Sequence, residues 1–167
     1  MSEKFGNGEL TIEIDGLKEI SGTYLMAASG LKDGSAQRFF TNEVARATDE
    51  YVPMQTGVLA GTAMRFIEPT AIHYIAPYAV YLYEGELMVD PKYKIGAFHN
   101  EKTGRFWSRK GVQKILDPKG RRLKYDTTAH PKAGDHWADR AWKDKGDEIA
   151  GEVADFLADN IAKELGK

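Results

Sequence analysis

The sequence predicts an α+β fold in which a small antiparallel sheet packs against a central helix and a C-terminal helix, with a long extended loop excursion between them. Three observations lead there. Residues 9–15, ELTIEID, alternate Leu10, Ile12 and Ile14 with polar neighbours, the period of a half-buried strand. Phe39, Phe40, Val44, Ala47 and Tyr51 recur at helical spacing. The chain ends in a second helical stripe formed by Ile149, Val153, Phe156, Leu157, Ile161 and Leu165, with acidic residues on the other side.

Each element follows in order. The strand at 9–15 comes first. SGLKDGSAQ breaks the next segment, and Ser35 is the expected cap of the central helix. That helix must end near Tyr51 or Val52, because the ring of Pro53 pushes the preceding residue out of the α region. Thr56-Gly57 then marks a turn in which glycine supplies a positive φ, delivering the chain into a strand from about Val58. Three extended runs are expected at 61–67, 70–76 and 78–84, punctuated by Glu68-Pro69 and Ala76-Pro77 as in a meander. From 86 to 134 periodicity fades among scattered glycines, prolines and basic residues, the mark of a long excursion. Asp135 is placed to cap the turn before the final helix.

A chain of 167 residues with 42% hydrophobic and 29% charged residues can bury one ordinary core, so one domain spanning 1–167 is expected, with 86–134 as its excursion. Zero cysteines exclude a disulfide framework, a thiolate zinc site and cysteine nucleophilic catalysis. The first ten residues have neither the basic segment nor the apolar run of a signal peptide, and no apolar stretch approaches the ~20 residues that span a bilayer. A protein soluble where it is made, with no membrane partner, is the expectation.

Catalytic patterns are sparse. HPKAGDH at 130–136 brings His130, Asp135 and His136 close in sequence and suggests metal-assisted hydrolysis, but it lacks the spacing of an established zinc motif. His73 alternates within a strand pattern and reads as a half-buried packing residue. Ser108 sits in a basic loop without a GxSxG elbow. Neither GxGxxG nor GxxxxGK[ST] occurs near Gly104, Gly111 and Gly120. Glu84 and Glu86 flank a glycine, an arrangement usual for solvated turn residues. No enzyme, no cofactor and no metal site is expected.

Charge is the stronger signal. Between 102 and 124 stand nine Lys and Arg residues against Asp117 alone, a net +8. Between 144 and 164 seven acids oppose two lysines, a net −5. The two segments are oppositely polarised. Phe106, Trp107 and Tyr125 interleave with the cations, and Arg105, Arg109, Lys110, Arg121 and Arg122 are the candidate partner or DNA contacts. Three readings stand: a solvated loop, a surface that binds phosphates and stacks bases, or an arm that docks on an acidic patch such as another copy's C-terminal helix.

Three blocks carry a family likeness. The corner VPMQTGVLAG, the later APYAVYLYEGE, and HPKAGDHWADRAWKD before the terminal helix resemble, in order and spacing, the minor capsid and neck proteins of long-tailed bacteriophages. Pro53, Thr56, Gly57, Leu59, Tyr78, Ala79, Tyr81, Gly85 and Trp137 stand at the positions of the family pattern, within a resemblance covering about residues 35–165. The resemblance implies a virion structural protein of the head-tail connector, of adaptor, stopper or tail-completion type. Such a subunit forms an oligomeric ring, a hexamer or dodecamer, joining the DNA-filled capsid to the tail. It implies as partners further copies of the chain, other phage neck, portal-adaptor and tail proteins, and packaged DNA in the channel. The implied location is the virion's head-tail junction, with the host cytoplasm during assembly. A DNA-binding module using 102–124 is the alternative.

Overall fold

The computed structural model describes residues 1–6, 9–15, 17, 34–54, 59 and 65–166. Four strands, β1 (Ser2–Gly6), β2 (Glu9–Glu13), β3 (Arg65–Glu68) and β4 (Ala71–Tyr74), form one antiparallel sheet in the order β1-β2-β4-β3. The central pairing sets Leu10 opposite Tyr74 and Ile12 opposite Ile72. These four side chains are fully buried, which follows from the alternation in β2, since a one-residue slip would turn Leu10 and Ile12 to solvent. β1 was not legible in SEKFG, whose charged residues hide any alternation; it is an edge strand held by its register with β2.

Helix α1 (Ser35–Thr48) runs into a 3-10 turn (Asp49–Tyr51). Phe40, Val44, Ala47 and Tyr51 are buried, as the helical spacing requires, and Phe39 is half-buried. Val52 is extended at φ −72° and ψ 129°, the conformation that Pro53 demands. The cap differs from expectation: Gly34, at φ 72°, is the cap and Ser35 is already helical, because glycine reaches the left-handed region without cost. The expected turn at Thr56-Gly57 lies outside the described residues, as does Val58, while Leu59 is buried.

The run 78–84 is a correction. It forms a helix, α2 (Ala79–Glu84), rather than a third meander strand. Ala79 and Tyr83, four apart, are buried, and Gly85 at φ 68° ends the helix. There the Gly85 N–H donates to Leu82 and the Glu86 N–H to Tyr81, closing both carbonyls of a Schellman end. The alternating aromatics suggested a period of two, but the fourfold spacing of Ala79 and Tyr83 places those two in the core.

Helix α3 (Trp137–Leu165) is 29 residues, roughly 43 Å at 1.5 Å per residue. It starts at Trp137, well before the apolar stripe that announced it. Asp135 does not cap it: the cap position is His136 in a left-handed conformation, and Asp135 instead accepts a hydrogen bond from Arg122 at 3.0 Å. Ile149, Val153 and Leu157 are buried, and Phe156 stacks on Phe39 of α1 at 4.3 Å. One hydrophobic cluster gathers side chains from the sheet, α1, α2 and α3. Among the described residues no helix is long and apolar enough to cross a membrane.

Candidate functional site

The excursion between α2 and α3 is built as an arm. Short strands β5 (Met88–Val89) and β8 (Ile115–Leu116) pair at its root, and β6 (Phe98–Asn100) and β7 (Arg105–Trp107) form a hairpin beyond. Strands of two or three residues are too short to show a period, which is why this segment read as a loop. The root continues toward the core: the Asp117 N–H donates to Leu87, the Leu123 N–H donates to Gly85, and Glu86 bridges Arg122.

Two acids organise the arm. The Asp90 carboxylate is buried and accepts Nε and Nη2 of Arg109 at 2.6 and 2.8 Å, together with the backbone N–H groups of Lys92 and Tyr93. The Arg109 guanidinium, aided by those N–H groups, holds this carboxyl far below the usual carboxylate range. Asp117 repeats the device, with Arg121 Nε at 2.6 Å and the N–H groups of Lys119 and Arg121, and its pKa falls to about 2, Arg121 being the main cause. Aromatic rings fill in between: Phe98 stacks on Trp107 at 4.4 Å on one side of the hairpin and His99 on Phe106 at 4.5 Å on the other.

This sorts the basic residues picked from the sequence. Arg109, Arg121 and Arg122 are held by Asp90, Asp117 and Asp135. Arg105 and Lys110 have no ion-pair or hydrogen-bond partner among the described residues and are exposed, as are Lys102, Lys119 and Lys124. Beside them Phe106 is 68% exposed and Trp107 49%. The outward surface of the arm is therefore cationic and aromatic.

The resembling blocks meet at the base of the arm. The Gly134 N–H donates to the Tyr51 carbonyl, His130 Nδ1 to the Val52 carbonyl at 2.8 Å, and the His136 N–H to the Tyr83 carbonyl. Trp137 is fully buried and meets Tyr74 and Tyr83 edge-on, at 5.4 and 4.6 Å. Ala79 and Leu59 are buried, Tyr81 and Pro53 half-buried, and Tyr78 exposed. Gly85 lies so close to Arg122 that a Cβ there would stand 2.8 Å from Nη2. Thr56 and Gly57 lie outside the described residues.

The suspected metal trio does not converge. His130 is turned to the Val52 carbonyl and Asp135 to Arg122. A different group does gather, which sequence distance concealed: ligand atoms of Glu3, His136 and Asp139 lie within 4.8 Å of one another. The Tyr83 hydroxyl donates to Glu3 at 2.5 Å and lies 3.5 Å from Asp139. Burial, with Glu3 accepting its hydrogen bond, pushes this hydroxyl strongly up, so Tyr83 stays a neutral donor. Asp139 also sits in the first turn of α3, where the helix dipole favours an acid. His73, half-buried, has its ring Nδ1 3.0 Å from the Thr11 hydroxyl. Ser108 is exposed.

Compared with protein-family models, curated proteins and solved structures, the chain matches none.

Proposed function

We propose that this chain is a structural subunit of the head-tail connector of a long-tailed bacteriophage, assembling through copies of itself into a ring that joins the DNA-filled capsid to the tail. The observation that carries the reading is the meeting of the three resembling blocks at one place. Backbone donors of Gly134 and His136 tie the last block to Tyr51, at the corner that opens the first, and to Tyr83 of the second. Among the described residues, Val52 of the first stretch, Tyr83 of the second and His130 and His136 of the third thus come together in one part of the fold. The arm rooted on that unit offers an outward surface for neighbours, as a subunit meeting its copies heterologously requires.

Mass measurement of the assembled species, with images of particles made without the protein, tests the proposal. A closed ring and tailless or leaking particles are expected. A stable monomer at high concentration, with normal particles in its absence, overturns it.

A second reading, a DNA-binding module, is favoured by one observation: Lys102, Arg105 and Lys110 are unpaired beside exposed Phe106. It predicts duplex or single-strand binding that falls steeply with salt and weakens when Arg105 and Lys110 become Ala. Salt-insensitive or absent binding removes it. Arg109, Arg121 and Arg122 are poor probes, because their substitution also removes the partners of Asp90, Asp117 and Asp135.

A further inference from the structure

We infer that the contact closing the ring is made by the hairpin arm of one copy lying along the outer face of helix α3 of the next. The inference rests on the ring reading and names its interface.

The first argument is electrostatic. On the arm Lys102, Arg105 and Lys110 are exposed without an acidic partner among the described residues. On α3 the exposed acids Asp147, Glu148, Asp155 and Asp159 have no cationic partner among the described residues, whereas Glu152 is held by Arg46 and Asp144 by the Tyr51 hydroxyl. The ion pairs of the arm run to Asp90, Asp117 and Asp135, and those of α3 from 144 onward run to Arg46; Lys145 pairs with Glu50. Among the described residues no ion pair joins arm to helix, so the two opposite charge sets are left open within one chain. A second copy satisfies both at once, and complementary surfaces of this kind set register and suppress wrong partners.

The second argument is shape. At 100° per residue, positions 147, 148, 151, 155, 158 and 159 share one face of α3, opposite the buried stripe of Ile149, Val153 and Leu157. Within that acidic face lie Gly151, where a Cβ would meet nothing within 4 Å, and Ala158. Small residues between carboxylates leave a low strip on which Trp107, on the hairpin face it shares with Arg105, can lie while the cations reach the acids at its edges. The lengths agree. Asp147 to Asp159 covers roughly 18 Å of helix, and Arg105 to Lys110 spans at most about 18 Å of extended chain. Made once between each pair of neighbours and not returned, this arm-on-helix contact is heterologous, the kind that closes rings.

The experiment uses the full chain in four forms, weighed in solution: wild type; an arm variant with Lys102→Glu, Arg105→Glu and Lys110→Glu; a helix variant with Asp155→Lys and Asp159→Lys; and a variant carrying all five changes. Wild type is expected as a ring that loosens with salt. Each partial reversal sets like charges against each other and weakens association roughly a hundredfold, while far-ultraviolet circular dichroism and melting stay those of the folded chain. Combining both reversals recovers part of the association, since the new lysines at 155 and 159 oppose the new glutamates of the arm while Asp147 and Glu148 still repel them. The inference is overturned, with the ring reading intact, if the partial variants assemble like wild type, or if the folded five-change variant stays dissociated. It is likewise overturned if arm reversal abolishes binding to a DNA oligonucleotide yet leaves the ring unchanged. A wild type that is monomeric under all conditions overturns the ring reading itself and this contact with it.

Discussion

The carboxylate of Asp90 grips Arg109 side-on, with Nε on one oxygen at 2.6 Å and Nη2 on the other at 2.8 Å. The two residues stand on opposite limbs of the arm, so their bond closes the root of the hairpin as a clasp. Among the described residues the hairpin's rings stack on one another and meet Tyr93 edge-on, and its outer residues face water. The arm thus has its own local stability, separable from that of the sheet and helices.

Replacing Arg109 by Ala is expected to loosen the arm and spare the core. Amide exchange in residues 90–117 should quicken, while amides of α1 and of β2 and β4 keep their protection. Lysine should not rescue, because a single ammonium cannot reproduce the two-pronged contact with Asp90. Residue-resolved exchange of wild type, Arg109→Ala and Arg109→Lys checks this; equal rates in all three would refute it.

Acid should undo the same clasp from the other side. Both Asp90 and Asp117 have folded-state values below that of an unfolded aspartate, about 3.9. Their contribution is therefore fully present above that value and is lost as pH falls toward about 2, where Asp117 titrates. The indole N–H resonance of Trp107, followed at constant ionic strength, should be level from neutral pH down to about 4 and change below it. A transition centred near pH 6 would point to a histidine instead.

Gly85 occupies a position where a side chain is doubly penalised. Its φ is 68°, and an added Cβ would approach Arg122 Nη2 to 2.8 Å and the Asp135 carboxylate to 3.2 Å. Gly85→Ala should cost about 1–2 kcal/mol from the left-handed backbone alone and displace Arg122 from Asp135. Urea unfolding measures the first, and the chemical shift of the Arg122 Nε proton the second.

Trp137 closes the core where β4, α2 and α3 meet, edge-on to both Tyr74 and Tyr83. Trp137→Ala should destabilise the fold by about 3–5 kcal/mol, and Trp137→Phe by less, since the smaller ring keeps part of the contact. Denaturant melts of the two variants rank them. Parity between alanine and phenylalanine would mean that the ring edges contribute nothing.

The legibility of the fold in the sequence varied with element length. α1 and β2 could be read because several buried residues repeat at one period, Phe40, Val44 and Ala47 in the first and Leu10 and Ile12 in the second, continued by Ile14 just beyond it. α2 could not, because six residues hold less than two turns and its Tyr and Leu residues also alternate. Its real signals were Pro77 just before and Gly85 just after, the usual order of helix punctuation. The arm's strands were shorter still, and the grouping of Glu3, His136 and Asp139 joins residues far apart in the chain, which no spacing rule reaches.

By itself the sequence determined the class of fold, the end of the central helix before Pro53, the buried faces of β2, α1 and α3, and the opposition of a basic to an acidic segment. These depend on neighbours along the chain, where period, proline geometry and charge act locally. Only the tertiary structure decided which cations face outward. Asp90, Asp117 and Asp135 draw in Arg109, Arg121 and Arg122, while Lys102, Arg105 and Lys110 have no acidic partner among the described residues. The reason is that an ion pair depends on the few ångströms between two groups in space, and folding sets that distance after the order of residues has been given.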